Sequence, residues 1–373
     1  MGIQEIRQTT ESCKHCFMCR HACPTFLATK LDSHTPRGYA LLLSEIDHGY
    51  QSWTPAIIDR FYQCSRCGLC REDCAYHWAE DEVVRNAREE IVAGGLAPAR
   101  VKNVADSIVA HHHPYGEAPD AWTPPSAIAG KKKAEILYFA GCATRKSHPE
   151  IALAIEKIMG VLGADWTVMG DEECCGAPLF DLGFTEKARE TSRRLVGKLK
   201  ETRARLLLTG CPHCHRAFTE LYPSWGSPLP EGLQVMHVSQ YLLDQLRHGN
   251  LNVAVKAKLG KASYHDPCQL GRKAGEYNAP RALITLAIGN PPRELFHTRE
   301  KAECCGAGSS MFLTDPQIAS QVADKRIQAV READSDVVIT ACQNCKQAFM
   351  DAQRAKGPPV RVLDVSELMA MVV

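Results

Sequence analysis

Short apolar runs alternate with helical patterns over the last two thirds of the chain. "AEILYFAGC", "RLLLTGCPHC", "KASYHDPC" and "DVVITACQNC" each carry a run of strand length, rich in Val, Ile, Leu or Tyr, that stops at a cysteine. Between them lie "HPEIALAIEKIMGVLG", "TEKARETSRRLVGKLKETRA" and "DPQIASQVADKRIQAVREA", where apolar residues recur at helical spacing. Strand alternating with helix predicts short parallel sheets flanked by helices, and such sheets gather ligands at the carboxyl ends of their strands. Cys142, Cys211, Cys268 and Cys342 end the four runs, so they should collect at such edges. The CxxC pairs Cys211/Cys214 and Cys342/Cys345 should then open the following helices, where backbone amides and the helix dipole favour an anionic group.

The first hundred residues read differently. "HTPRGYALLLSEIDHG" and "WTPAIIDRFYQC" each offer a Thr-Pro helix start followed by apolar residues at helical spacing, such as Ile57, Ile58, Phe61 and Tyr62. A further helical stretch, "EDEVVRNAREEIVAGG", precedes "HHHPYGEAPDAWTPPSAIAGKKK", which is proline-rich and aperiodic and reads as a linker of roughly twenty residues. The predicted architecture is α/β with an N-terminal helical domain over 1–105, a linker over 106–133, and two similar units over 134–250 and 251–373. His111, His112 and His113 are expected to form a solvated turn.

Composition adds two constraints. The net charge is +1 with both signs interspersed, which leaves no basic stripe for a nucleic-acid partner. No apolar run is long enough to span a membrane and no export signal is evident, so the expected location is the cytoplasm, with any membrane association made through a partner subunit. Eighteen cysteines are the outlier. Without export, that density points to metal rather than to disulfides.

Cys13, Cys16, Cys19 and Cys23 in "CKHCFMCRHACP" follow the bacterial ferredoxin spacing with its trailing proline, and Cys64, Cys67, Cys70 and Cys74 repeat the spacing in "CSRCGLCREDCA". Three close thiolates wrap three irons of a cube, and the fourth iron takes a remote cysteine from the other run. The expected ligand sets are Cys13, Cys16, Cys19 and Cys74 for one cubane 4Fe-4S cluster, and Cys64, Cys67, Cys70 and Cys23 for the other. Structural zinc also uses paired CxxC, but it gives no reason for an eight-cysteine double run with a proline behind one of them. Ala75 stands where the second run lacks that proline.

The later half repeats itself. Cys142, the pair Cys174 and Cys175, and Cys211 with Cys214 recur as Cys268, Cys304 and Cys305, and Cys342 with Cys345. Each copy has five cysteines, one more than a cubane or a zinc ion needs, and adjacent cysteines make a strained disulfide. Gly176 and Gly306 follow the pairs, where the backbone must turn sharply or approach a bulky centre closely. "CPHCH" fits a haem attachment motif, yet its counterpart "CQNCK" has no histidine and both pairs belong to the five-cysteine pattern.

Two ferredoxin runs followed by two such CCG units resemble the D-type subunit of heterodisulfide reductase, the iron-sulfur subunits of glycolate and lactate oxidases, and the C-type subunit of anaerobic glycerol-3-phosphate dehydrogenase. The resemblance covers nearly the whole chain. It implies two non-cubane 4Fe-4S clusters, one on Cys142, Cys174, Cys175, Cys211 and Cys214 and one on Cys268, Cys304, Cys305, Cys342 and Cys345, which accounts for all eighteen cysteines. It also implies an oxidoreductase subunit that passes electrons between the cubanes and the CCG centres, with disulfide or thiol chemistry at the latter. The alternative within the same resemblance is an electron-transfer subunit of a flavin-linked 2-hydroxy acid dehydrogenase complex. Partners would be a flavoprotein or other redox subunits, and a membrane cytochrome or quinone-reactive subunit. His213, His215 and His265 flank ligand cysteines and are candidates for proton donation or cluster tuning. Gln269 and the "CCGAGSS" stretch depart from the family pattern beside the second centre.

Overall fold

The computed structural model describes residues 10, 13, 16–125, 128, 134–353 and 358–373. Among the described residues, seven strands form two parallel sheets. In the first, the order is β2-β1-β3-β4, with β1 Ile136–Phe139, β2 Trp166–Thr167, β3 Leu206–Thr209 and β4 Gln234–His237. The second runs β5-β6-β7, with β5 Ala262–His265, β6 Val337–Thr340 and β7 Arg361–Asp364. Tyr138 pairs with Leu208 and Tyr264 with Ile339, so equivalent strands of the two sheets hold equivalent registers. The four runs read as strands from their apolar pattern are β1, β3, β5 and β6.

The principal helices are α1 Pro36–Asp47, α2 Pro55–Tyr62, α3 Glu80–Ala93, α4 Ala99–His111, α5 Pro149–Val161, α6 Thr185–Thr202, α7 Val238–Arg247, α8 Asn278–Ile288, α9 Pro316–Glu332, α10 Gln343–Ala352 and α11 Val365–Val372. Thr35 caps α1 by accepting from the Gly38 amide at 3.0 Å, and Thr54 caps α2 by accepting from Ile57 at 3.3 Å. Each cap is followed by a proline in the first turn, where the missing N–H costs nothing. Helix α4 runs through the expected boundary at 105/106, because Val101, Val104, Ala105 and Ile108 keep one buried face as far as His111. The irregular connection therefore starts at His112. Its described part is anchored at Trp122, which is buried and whose indole N–H donates to Glu156 at 2.6 Å.

One core joins the N-terminal helices to the first sheet, through Tyr39, Phe61, Val84, Phe139, Cys174 and Phe218. A second lies between the two CCG units, where Leu368 and Met369 of α11 meet Ile155 and Ile158 of α5. Lys346 is buried in that joint and bridges Glu150 at 2.5 Å and Glu367 at 2.6 Å. The N-terminal domain, in turn, is wedged against both units. Arg66 pairs with Asp181 after the first cysteine pair, and Lys273 of the second unit pairs with Asp81. No helix among the described residues is long and apolar enough to cross a membrane.

Candidate metal centres

Cys13, Cys16, Cys19 and Cys74 line one cavity together with Phe17, Tyr76 and Trp78. Cys23, Cys64, Cys67 and Cys70 line another, walled by Pro24, Pro36, Tyr39 and Val84. In both, three cysteines of one run meet the fourth cysteine of the other. Burial pushes the Cys19 and Cys64 thiols up to about 11, and holds Cys23 and Cys70 well above the ordinary range. Thiolates buried this way need a cation beside them. Iron supplies that charge, so the donor sets suit a metal core better than free thiols.

The two CCG units repeat one chain of sulfur contacts. Cys142 meets Cys174, Cys174 meets Cys175, Cys175 meets Cys214, and Cys214 meets Cys211. In the second unit Cys268, Cys304, Cys305, Cys345 and Cys342 touch in the same order. Hydrogen bonds from Cys174 and Cys214 hold the Cys175 thiol down to about 6, and those from Cys304 and Cys345 hold Cys305 down to about 5. Five sulfurs therefore converge at the carboxyl end of each sheet, with the second CxxC sulfur in the first turn of a helix. A donor set of five soft ligands fits an iron-sulfur core and exceeds the tetrahedral demand of zinc.

Gly176 and Gly306 adopt φ of 77° and 88°. A Cβ on Gly306 would sit 2.4 Å from the Ala319 carbonyl oxygen, and one on Gly176 would sit 3.4 Å from that of Ala188. The close approach at Gly306 is thus to the long helix behind its cysteine pair, whereas Gly176 stands in ordinary contact with the matching helix of the first unit. Gly308, within the divergent "CCGAGSS" stretch, has a different neighbour: a Cβ there would lie 2.2 Å from the Ser65 carbonyl oxygen. That departure lets the N-terminal cysteine loop press onto the second unit, where the Cys67 and Cys304 thiols are in hydrogen-bond contact. Arg272 covers the contact by donating to the Cys67 carbonyl at 2.9 Å. Gln269, the other departure, is buried with its carbonyl 3.5 Å from Arg216.

The three candidate histidines part company. His213 faces Asp181 at 3.8 Å and both of its ring nitrogens lack a hydrogen bond. His215 lies edge-on to His237 with ring centroids 6.3 Å apart. Burial lowers both below the ordinary imidazole range. Only His265 gathers with thiols, one ring nitrogen and the sulfurs of Cys305 and Cys345 lying within 4.8 Å of one another.

The histidine turn also has a place that its sequence did not signal. His111 and His112 are exposed, as expected, yet with His113 they line a cavity of about 290 Å³ whose floor includes Cys142 and Cys174. Arg145, Lys146 and Lys198 enter the same cavity, each paired with a carboxylate. The matching edge of the second unit, Cys268 and Cys304, is the one the Cys67 loop covers.

Comparison with known proteins agrees with this anatomy. Residues 9–78 match the 4Fe-4S dicluster domain, and residues 136–219 and 262–350 each match the cysteine-rich domain known as CCG. The D-type subunit of dihydromethanophenazine:CoB--CoM heterodisulfide reductase from Methanosarcina barkeri is 28% identical, over 96% of this chain and 93% of its own. Lactate utilization protein A of Anoxybacillus flavithermus is 23% identical, over 63% of this chain and 98% of its own. The crystal structure of a hypothetical protein from Helicobacter pylori shares the fold at a TM-score of 0.58 and 9% identity, covering 99% of this chain and 74% of that one. The chain joins a 4Fe-4S dicluster domain to two CCG domains, and it is an iron-sulfur electron-transfer protein similar along nearly its whole length to the D-type subunit of heterodisulfide reductase.

Proposed function

We propose that the chain carries four clusters as the redox subunit of a larger oxidoreductase. Cys13, Cys16, Cys19 and Cys74 would hold one cubane, and Cys64, Cys67, Cys70 and Cys23 the other. Each CCG unit would hold a non-cubane 4Fe-4S cluster on its five cysteines. Bound there, the clusters supply one-electron steps and, in the CCG units, iron able to take the sulfur atoms of an organic disulfide. The observation that carries the reading is the contact between Cys67 and Cys304, which brings a cubane ligand loop against a CCG ligand loop at sulfur. Around it the chain supplies cations: Arg88 donates to the Cys64 carbonyl at 2.6 Å, while Arg272 and Lys273 cover the loop from the second unit. Buried guanidinium groups favour an anionic, sulfur-rich neighbour.

The test is anaerobic purification, elemental analysis and Mössbauer spectroscopy, followed by assay with reduced viologen and a mixed disulfide of two small thiols. The expected result is about sixteen irons per chain, taking four per cluster, and two thiols released for every two electrons consumed. A colourless protein holding zinc would overturn the cluster assignment, whereas full iron without turnover would overturn the disulfide chemistry alone. Similarity to lactate utilization protein A favours a second reading, in which the chain relays electrons from a flavoprotein partner that oxidises a 2-hydroxy acid. Co-purification of a flavoprotein from the native source would support that assignment, and a stand-alone disulfide reductase would exclude it.

A further inference from the structure

The internal duplication allows the two CCG units to be compared atom by atom. Phe139 ends β1 as His265 ends β5. The Phe139 ring meets Phe218 edge-on, with centroids 5.0 Å apart and planes at 84°; the His265 ring meets Phe349 at 4.8 Å and 84°. The packing is the same and one phenyl ring has become an imidazole. The helices behind the cysteine pairs match as well, because Gly176 abuts Ala188 and Thr191 just as Gly306 abuts Ala319 and Val322. That register sets Leu195 of α6 against Arg326 of α9, and both are fully buried.

Arg326 and His265 act as a unit. The Arg326 Nε–H donates to His265 Nδ1 at 3.3 Å, which leaves the proton of the neutral ring on Nε2, and a second Arg326 nitrogen donates to the His297 carbonyl at 2.6 Å. A third difference is a buried carboxyl group that the first unit carries and the second lacks. In the first unit Glu172, two residues before Cys174, is buried and accepts from the Ala140 and Gly141 amides at 2.9 and 2.8 Å. Its counterpart before Cys304 is Ala302. Arg145, whose counterpart in the second unit is Gly271, stands beside Glu172 and donates to its backbone carbonyl at 2.8 Å, so the first unit balances that carboxyl locally. Asp266 is held bidentately by Arg281 at 2.6 and 2.7 Å, and Glu303, the counterpart of Glu173, takes His297 at 2.8 Å.

The potential of an iron-sulfur cluster rises with hydrogen bonds to its sulfurs and with positive charge nearby, and falls with negative charge. We propose that His265 and Arg326 make the second CCG centre the more easily reduced of the two, while Phe139 and Leu195 leave the first the harder to reduce. The inference rests on the reading above that both units hold clusters. Its consequence is a division of labour: electrons collect in the unit whose Cys304 touches the Cys67 loop, and the unit facing the open cavity is the stronger reductant once charged. His265 and Arg326 are positioning residues here, since neither lines the cavity.

The experiment is a dithionite titration of the full chain followed by electron paramagnetic resonance, comparing wild type with His265→Phe and Arg326→Leu, each of which installs the first unit's residue. Two CCG midpoints are expected. Each variant should lower the higher one alone, changing the reduced-to-oxidised ratio of that centre at least tenfold at fixed potential, or about 59 mV for a one-electron couple. Phe139→His gives the converse, raising the lower midpoint and leaving the other in place, and it tests the idea even if a second-unit variant loads less iron. Wild type carrying only cubane iron would overturn the cluster assignment and this inference with it. Full iron with midpoints that none of the three variants moves, or with His265→Phe moving the lower one, would overturn this inference alone.

Discussion

The glycine behind each cysteine pair shows how a single missing Cβ sets the position of a metal ligand. Both Gly176 and Gly306 hold a positive φ, which costs any other residue about 1–2 kcal/mol. They differ in what stands behind them. The Ala319 carbonyl is backbone and cannot swing away, so alanine at 306 must push α9 off the cysteines, whereas 3.4 Å at Gly176 is ordinary contact. Gly306→Ala should therefore lower the melting temperature more than Gly176→Ala and should release iron from the second unit. Thermal melts with iron analysis on both variants check this, and equal losses would show that α9 yields to the methyl group. The presence of a glycine at each pair was legible in the sequence. Its reason was not, because the neighbour that forbids a side chain is a helix supplied by residues further along the chain.

At the scale of elements, β1, β3, β5 and β6 were visible as apolar runs ending at a cysteine, and α5, α6 and α9 as periodic stripes. Strands β2, β4 and β7 were not. β2 is two residues long, and β4 and β7 open on exposed Gln234 and Arg361, so neither presents a continuous apolar run. His237, which ends β4, caps α7: its Nδ1 accepts from the Ser239 amide at 3.2 Å, and its Nε2–H donates to the Gly210 carbonyl at 2.9 Å, just before Cys211. Burial, with His215 nearby, lowers its pKa to about 3. The unfolded chain takes up a proton below about pH 6.5 and the folded one does not until far lower. Stability that is complete above that value is therefore lost as pH falls, by about 1.4 kcal/mol per unit for this one group. Melting temperature should drop between about pH 7.5 and 5.5, and His237→Asn, which keeps a cap but removes the titrating ring, should show a shallower drop. An unchanged slope would assign the acid sensitivity to other groups, of which His34, also lowered by burial, is one.

Over the whole molecule, the duplication is symmetric in its ligands and asymmetric in what covers them. The sequence spacing displayed the first property fully, since ten cysteines fall into two matching sets. It could not display the second, because the contact between Cys67 and Cys304 joins residues from opposite ends of the chain. The first unit keeps its Cys142 and Cys174 edge on a cavity of about 290 Å³, while Lys273, Arg272 and the Cys67 loop close the same edge of the second. A reagent in solution should therefore meet the two units in a fixed order. If the native protein is treated with an iron chelator and iodoacetamide together, Cys16, which is exposed, should be alkylated early. Cys142 and Cys174 should follow, and Cys268 and Cys304 should come last, as read from peptide masses over time. Protection of the last pair depends on the wedge of the N-terminal domain, so Asp81→Asn, which removes the partner of Lys273, should shorten their lag without changing the rate at Cys142. Simultaneous modification of both edges in the wild type would mean that the Cys67 loop opens as readily as the cavity, and that neither unit is set apart by access.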